Sequence, residues 1–136
     1  MIQRNKGLLE TRPVIEGIQL QENMSFDEKF QNITLRPVIK LQHHLLLAVF
    51  KNYIQKHKNV FSQLSLEKRM AYIENAIQKD TKFRNSVKGM IIGQFTTEEY
   101  ELYIQNSSTL NKRMMNLVKK RLMDSIQLFE PSPSPI

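Results

Sequence analysis

The sequence contains no cysteine. Disulfides, thiolate nucleophiles and cysteine-ligated zinc or iron–sulfur clusters are excluded, while the redox compartment is left open. Long apolar runs are also missing: the longest, Leu45 to Phe50, falls far short of the roughly 20 residues a membrane-crossing helix needs. The first 24 residues lack the apolar core of a secretory leader, so a cytoplasmic location with no membrane contact is the default expectation. There is no HExxH, no ExxH and no glycine-rich phosphate loop, and no serine lies in a nucleophile-elbow context. No catalytic, cofactor-binding or metal-ligating residue is assigned, and no cofactor is expected. Repeats at a fixed period are absent as well.

What is present is the composition of a folded protein. Across 136 residues, 40% are hydrophobic and 24% charged, close to soluble-domain averages and of a length for one domain. The formal net charge is +7, and it is unevenly placed. Residues 36–88 hold 11 basic side chains against Glu67, Glu74 and Asp80, whereas the flanking segments are almost neutral. Such a stretch attracts phosphates or acidic proteins, or is simply a solvated basic face.

Hydrophobic spacing predicts helices throughout. Residues 1–24 show no sustained period and carry Gly7, Pro13 and Gly17, so they read as an N-terminal arm that docks through Val14, Ile15, Ile18 and Leu20. Ser25 with Glu28 fits a capping box that opens a short helix to about Asn32, with Phe26 and Phe30 on one face. Thr34 as N-cap and Pro37 in the first turn predict a helix from Arg36 to His57. Its apolar residues, Leu45 among them, cover more than half the circumference, which predicts a central position in a bundle. Lys56, His57 and Lys58 follow at its C-terminus, where cations are favoured.

Ser65 caps a third helix to Lys79, with a stripe of Leu66, Met70, Ile73 and Ile77. Asp80 caps a fourth that Gly93 stops, and there Ser86, Gly89 and Gly93 suggest close approach of another backbone. Thr96 with Glu99 repeats the capping box and starts a last helical stretch to Phe129, with a break or kink expected at Asn106 to Thr109. Met114 falls on the apolar face of that stretch, and Met115 and Met123 are less well placed for the core. Pro131, Pro133 and Pro135 end any helix and leave a flexible Pro/Ser tail, residues 131–136. The expected fold is all-α: a single-domain helical bundle over 25–130, of four to six helices with a long C-terminal one.

The only histidines are His43, His44 and His57. Adjacent helical residues point about 100° apart, and His57 lies roughly 21 Å beyond His43, so this helix alone builds no metal site. His43 projects toward the apolar arc and reads as a hydrogen-bonded, partly buried histidine. The acidic group Glu98, Glu99 and Glu101 begins a helix and is accounted for by the macrodipole. The best binding candidates lie on the fourth helix, where Lys82, Arg84, Asn85 and Lys88 are the residue types that contact phosphates and base edges. The short connection Gln78-Lys79-Asp80 lacks the glycine usual in a helix-turn-helix.

Three segments carry a resemblance: Leu35-Arg36-Pro37-Val38-Ile39-Lys40-Leu41-Gln42, the run Phe83 to Thr96, and Asn106 to Val118. Over about Leu35 to Phe129 the chain resembles a group of short, uncharacterised all-helical bacterial proteins, some named glyoxalase-like. The glyoxalase name implies a metal-dependent fold of βαβββ units with His and Glu ligands on strands. Three functional expectations follow. The first is a small cytoplasmic helical interaction or regulatory module without a catalytic site, acting on a protein partner or as a homodimer through the long C-terminal helix. The second is a nucleic-acid-binding protein using the basic region 36–88. The third is a glyoxalase-type enzyme.

Overall fold

The computed structural model describes residues 2–17 and 20–130. Ile18 and the Pro/Ser tail lie outside the described residues. The described chain is all-helical and without strands. Its elements are α1 (Gln3–Thr11), α2 (Phe26–Phe30), a π-helical turn (Gln31–Leu35), α3 (Arg36–Leu41), α4 (His43–Lys56), α5 (Leu66–Gln78), α6 (Thr81–Ile92), α7 (Thr97–Tyr103) and α8 (Ser107–Asp124). Short 3-10 turns at Val60–Gln63 and Ile126–Phe129 complete it. Because α2, the π turn and α3 run on without interruption, this makes seven helices, against four to six expected. No described helix is long and apolar enough to cross a membrane.

Local caps form where the side-chain chemistry predicts them. Ser25, Ser65, Asp80 and Thr96 each accept a hydrogen bond from the backbone N–H three residues on, and Thr96 with Glu99 forms a reciprocal capping box. The last helical stretch divides just before most of its Asn/Ser/Thr patch, only Asn106 of which lies in the break. The chain leaves α7 after Tyr103 and re-enters helix at Ser107, so the C-terminal helix is the longest element but spans only 18 residues. Asn106 there turns its amide to the Asp27 carboxylate at 2.8 Å instead of capping α8.

Thr34 is not an N-cap. It sits inside the continuous helix, buried, in the π turn just before Pro37. Proline lacks an N–H and its ring crowds the carbonyl four residues back, and widening the preceding turn removes the clash without ending the helix. A second irregularity, at Gln42, separates α3 from α4. The chain leaves α4 through Lys58 and Asn59, both left-handed, with φ of 62° and 56°.

The core is centred on α8, which packs against α3, α4, α5, α6 and the π turn. Leu110, Met114, Met115, Val118 and Leu122 are all buried along it, so Met115 belongs to the core after all. Its outward strip, Lys112, Asn116, Lys120 and Asp124, is polar. At the other end Phe50 is fully buried among the rings of Phe61, Tyr72, Phe83 and Phe129, the last with centroids 4.9 Å apart. Leu45, at 50% exposure, and Leu66, at 62%, lie outside the core despite their apolar neighbours. The small-residue face of α6 is likewise open. Nothing lies within 4 Å of a Cβ built on Gly89, and Ser86 and Gly93 are exposed.

These placements separate two residues of similar sequence character. Phe50→Ala is expected to cost about 3–5 kcal/mol and Leu45→Ala less than about 0.5 kcal/mol, measured by urea unfolding. Equal effects would contradict the assigned packing of α4.

Candidate interaction surfaces

The fourth-helix candidates do not converge. At 100° per residue, Lys82 and Arg84 project about 160° apart around α6, whereas Arg84 and Lys88 are neighbours four residues apart. Accordingly, Lys82 and Asn85 are exposed, and Arg84 and Lys88 are half-buried on the opposite flank of the core-facing stripe. The Arg84 Nε is buried without a hydrogen-bond partner. Lys82 instead opens onto a cavity of about 370 Å³ that it shares with Lys56, His57, Asp80 and Tyr53.

Asp80 organises that corner. Its carboxylate accepts from the Phe83 N–H, capping α6, and from the Tyr53 hydroxyl at 2.8 Å. The Tyr53 hydrogen bond, followed by that of Phe83, holds the Asp80 carboxyl below the ordinary carboxylate range. Burial, then the Asp80 hydrogen bond, pushes the Tyr53 phenol far above its ordinary value. Tyr53 is therefore held as a neutral hydrogen-bond donor to Asp80. His57 is spent as well, donating from Nδ1 to the Tyr53 carbonyl at 2.7 Å at the end of α4.

Among the described residues the N-terminal arm docks mainly by polar contacts, and Val14 and Leu20 do not take part as expected. Val14 is 79% exposed and Leu20 is exposed, with Ile15 half-buried. Arg12 instead makes a two-point ion pair with Glu99, both distances 2.6 Å, and donates to the Gln94 carbonyl at 2.7 Å. Both side chains are largely removed from solvent. The Thr34 hydroxyl donates to the same carboxylate at 2.8 Å, as does the Thr96 N–H. Burial works to raise the Glu99 carboxyl, but the hydrogen bonds from Arg12, Thr96 and Thr34 outweigh it and hold it low. Asn5, buried on α1, donates to Thr97 Oγ1 and to Glu98 and accepts from the Thr97 N–H. Arg4 donates to the carbonyls of Phe95 and Gly93, both at 2.9 Å. None of these partners was visible as a site in the sequence; the capping-box glutamate was the one available signal.

Beside this junction lies a cleft of about 340 Å³ lined by Ile92, Phe95, Tyr100 and Glu101, with Arg4 at its edge. Tyr100 is 46% exposed and Ile104, one turn on, is 55% exposed, which extends the apolar surface along α7. Glu101 makes no ion pair among the described residues. Among the described residues no three His, Asp or Glu side chains gather as a metal would require. His43 is half-buried and bonded to Arg121, and His44 is exposed.

The Glu99 cluster has a definite pH signature. Its carboxyl binds protons less readily folded than unfolded, so its contribution is complete above the unfolded carboxylate value and is lost as pH falls through the lower folded value. Glu99→Gln, which strands the buried Arg12 charge, is expected to cost about 3 kcal/mol at neutral pH and to flatten the acid limb of stability, measured by urea unfolding across pH. A variant with the same acid limb as the parent would show that the pair does not govern it.

Comparison with protein-family models, curated proteins and solved structures returned no match for this chain.

Proposed function

We propose that the protein is a helical interaction module that receives a basic amphipathic segment of a partner protein in the cleft between the end of α6 and α7. The carrying observation is the exposed apolar pair Tyr100 and Ile104, one turn apart, next to the half-buried Ile92 and to the carboxylate of Glu101, which makes no ion pair among the described residues. Apolar side chains exposed singly are ordinary, but a cleft that groups them beside a free charge favours a partner of complementary character. A helix with two apolar anchors one turn apart and a Lys or Arg opposite Glu101 has that character. Arg4 is committed to backbone carbonyls and does not compete for Glu101.

A photo-crosslinking benzoylphenylalanine at position 100 tests this reading in the native cell. One discrete adduct is expected, with the crosslinked peptide basic and amphipathic, lost in Ile104→Asp and kept in Lys112→Gln. Crosslinking to a second copy of this chain, or no discrete adduct, would refute it.

Nucleic-acid binding is a second reading, supported by Lys56 and Lys82 around one cavity. It requires that Lys56→Glu and Lys82→Glu each weaken duplex DNA binding and lower the salt slope by about 1. Lys88→Glu, on the opposite flank, should leave both unchanged. Binding that depends on Lys88 and not on Lys82 would exclude this cavity as the interface.

A further inference from the structure

A second charged cavity, of about 290 Å³, lies between α3, the start of α4 and the last turn of α8. Arg36, His43, Lys120, Arg121, Asp124 and Ser125 supply its polar lining, and Ile15, Ile39 and Leu117 its apolar wall. We propose that this cavity binds the phosphate group of a small, non-nucleotide phosphate monoester, gripped by Arg36 and Arg121.

The charge balance points to an anion. Among the described residues Asp124 is the only carboxylate lining the cavity, and it is ion-paired with the exposed Lys120 at 3.1 Å. Arg36 and Arg121 therefore remain in excess. They are half-buried and near enough to interact: burial lowers the affinity of Arg121 for its proton, Asp124 opposes this, and the Arg36 charge lowers it further. Two guanidiniums in a partly desolvated site repel, and a dianion between them removes that repulsion while accepting their donors.

The donors are already aimed. The Arg36 Nε is fixed by the Asn32 side-chain carbonyl at 3.1 Å, which leaves its two terminal nitrogens without a partner among the described residues. Arg121 directs one terminal nitrogen to His43 Nδ1 at 3.2 Å. A guanidinium cannot accept a hydrogen bond, so His43 accepts and its ring is neutral. Burial, then the Arg121 charge, then His44, holds the His43 imidazole below its ordinary value in agreement. His43 thus orients Arg121 without adding charge, and Ser125, a largely buried residue, lines the same cavity.

The remaining walls define the rest of the ligand. The cavity volume is at the small end of ligand sites. Ile15, Ile39 and Leu117 favour an apolar group next to the phosphate. Among the described residues no Phe or Tyr side chain lines the cavity, and the one ring that does, His43, is held by Arg121 and packed edge-on against His44, so a nucleobase would gain little by stacking.

Titration calorimetry at fixed ionic strength, with phenyl phosphate, inorganic phosphate, adenosine monophosphate and sodium chloride as titrants, tests the assignment. Phenyl phosphate is expected to bind saturably, one per chain, more tightly than inorganic phosphate or the nucleotide. Arg36→Gln and Arg121→Gln should each weaken it by about tenfold or more, with Lys112→Gln unchanged. Lys120→Glu, on the exposed rim, perturbs no core contact and should weaken binding severalfold even if an arginine variant fails to fold. Phenyl phosphate indistinguishable from chloride, or affinity unaltered in both Arg36→Gln and Lys120→Glu, would overturn the site. Inorganic phosphate binding equally well would overturn the ester, and tighter nucleotide binding would overturn the exclusion of a base.

Discussion

A single carboxylate ties together three parts of the chain that are far apart in sequence. Glu99 closes the capping box of α7, receives Arg12 from the N-terminal arm, and receives Thr34 from the π turn. A buried ion pair by itself is weak evidence of stability, because desolvating both charges offsets most of their attraction. Here the carboxylate is surrounded by donors: two guanidinium nitrogens, one hydroxyl and one backbone N–H. The arrangement is directional, so it fixes where the arm lies against α7 as well as holding it there. Removing any one donor leaves the others in place but loosens a different segment.

The features readable from sequence were those in which cause and effect lie within one turn of helix. Ser25, Ser65, Asp80 and Thr96 cap because the N–H each satisfies is three residues away. The break was read one to three residues late: it falls on Ile104, Gln105 and Asn106, while Ser107, Ser108 and Thr109, the weaker helix formers, open α8. Where the deciding partner lies elsewhere in the chain, the reading failed. Thr34 has the side chain of a cap, but Glu99, 65 positions on, takes its hydroxyl. Leu45 and Leu66 obey the helical period, yet periodicity marks a face and says nothing about whether another helix covers it. Arg12 drew no expectation at all, because no local pattern announces a carboxylate 87 residues away.

The cations divide by chemistry more than by their density along the chain. Arginines are drawn inward, where a planar fork can satisfy several acceptors. Arg4 and Arg12 hold carbonyls at the α6–α7 junction. Arg69 bonds the carbonyls of Phe61 and Ser62, pairs with Glu130, and stands 5.4 Å over the Phe61 ring. Arg113 reaches Gln31. Lysines such as Lys51, Lys58, Lys68 and Lys79 are left exposed, in keeping with a strongly hydrated ammonium. The excess of positive charge in residues 36–88 is therefore mostly solvated, and Arg36 gains its meaning only from Arg121, outside that region. No count of charges along the sequence could have paired them.

The arm also connects the two surfaces singled out above. Arg4 edges the apolar cleft and Ile15 walls the cationic cavity, and Arg12, between them in sequence, is pinned by Glu99. Both surfaces are complete only while the arm is docked. Any species that touches Arg4 or Ile15 in the docked state binds that state preferentially, and mass action then shifts the docking equilibrium toward it. The size of that shift is limited by how often the arm leaves on its own, since a ligand cannot raise a population that is already full. The Glu99 pair is the contact that pins the arm between Arg4 and Ile15, so it bears on the docking equilibrium of both.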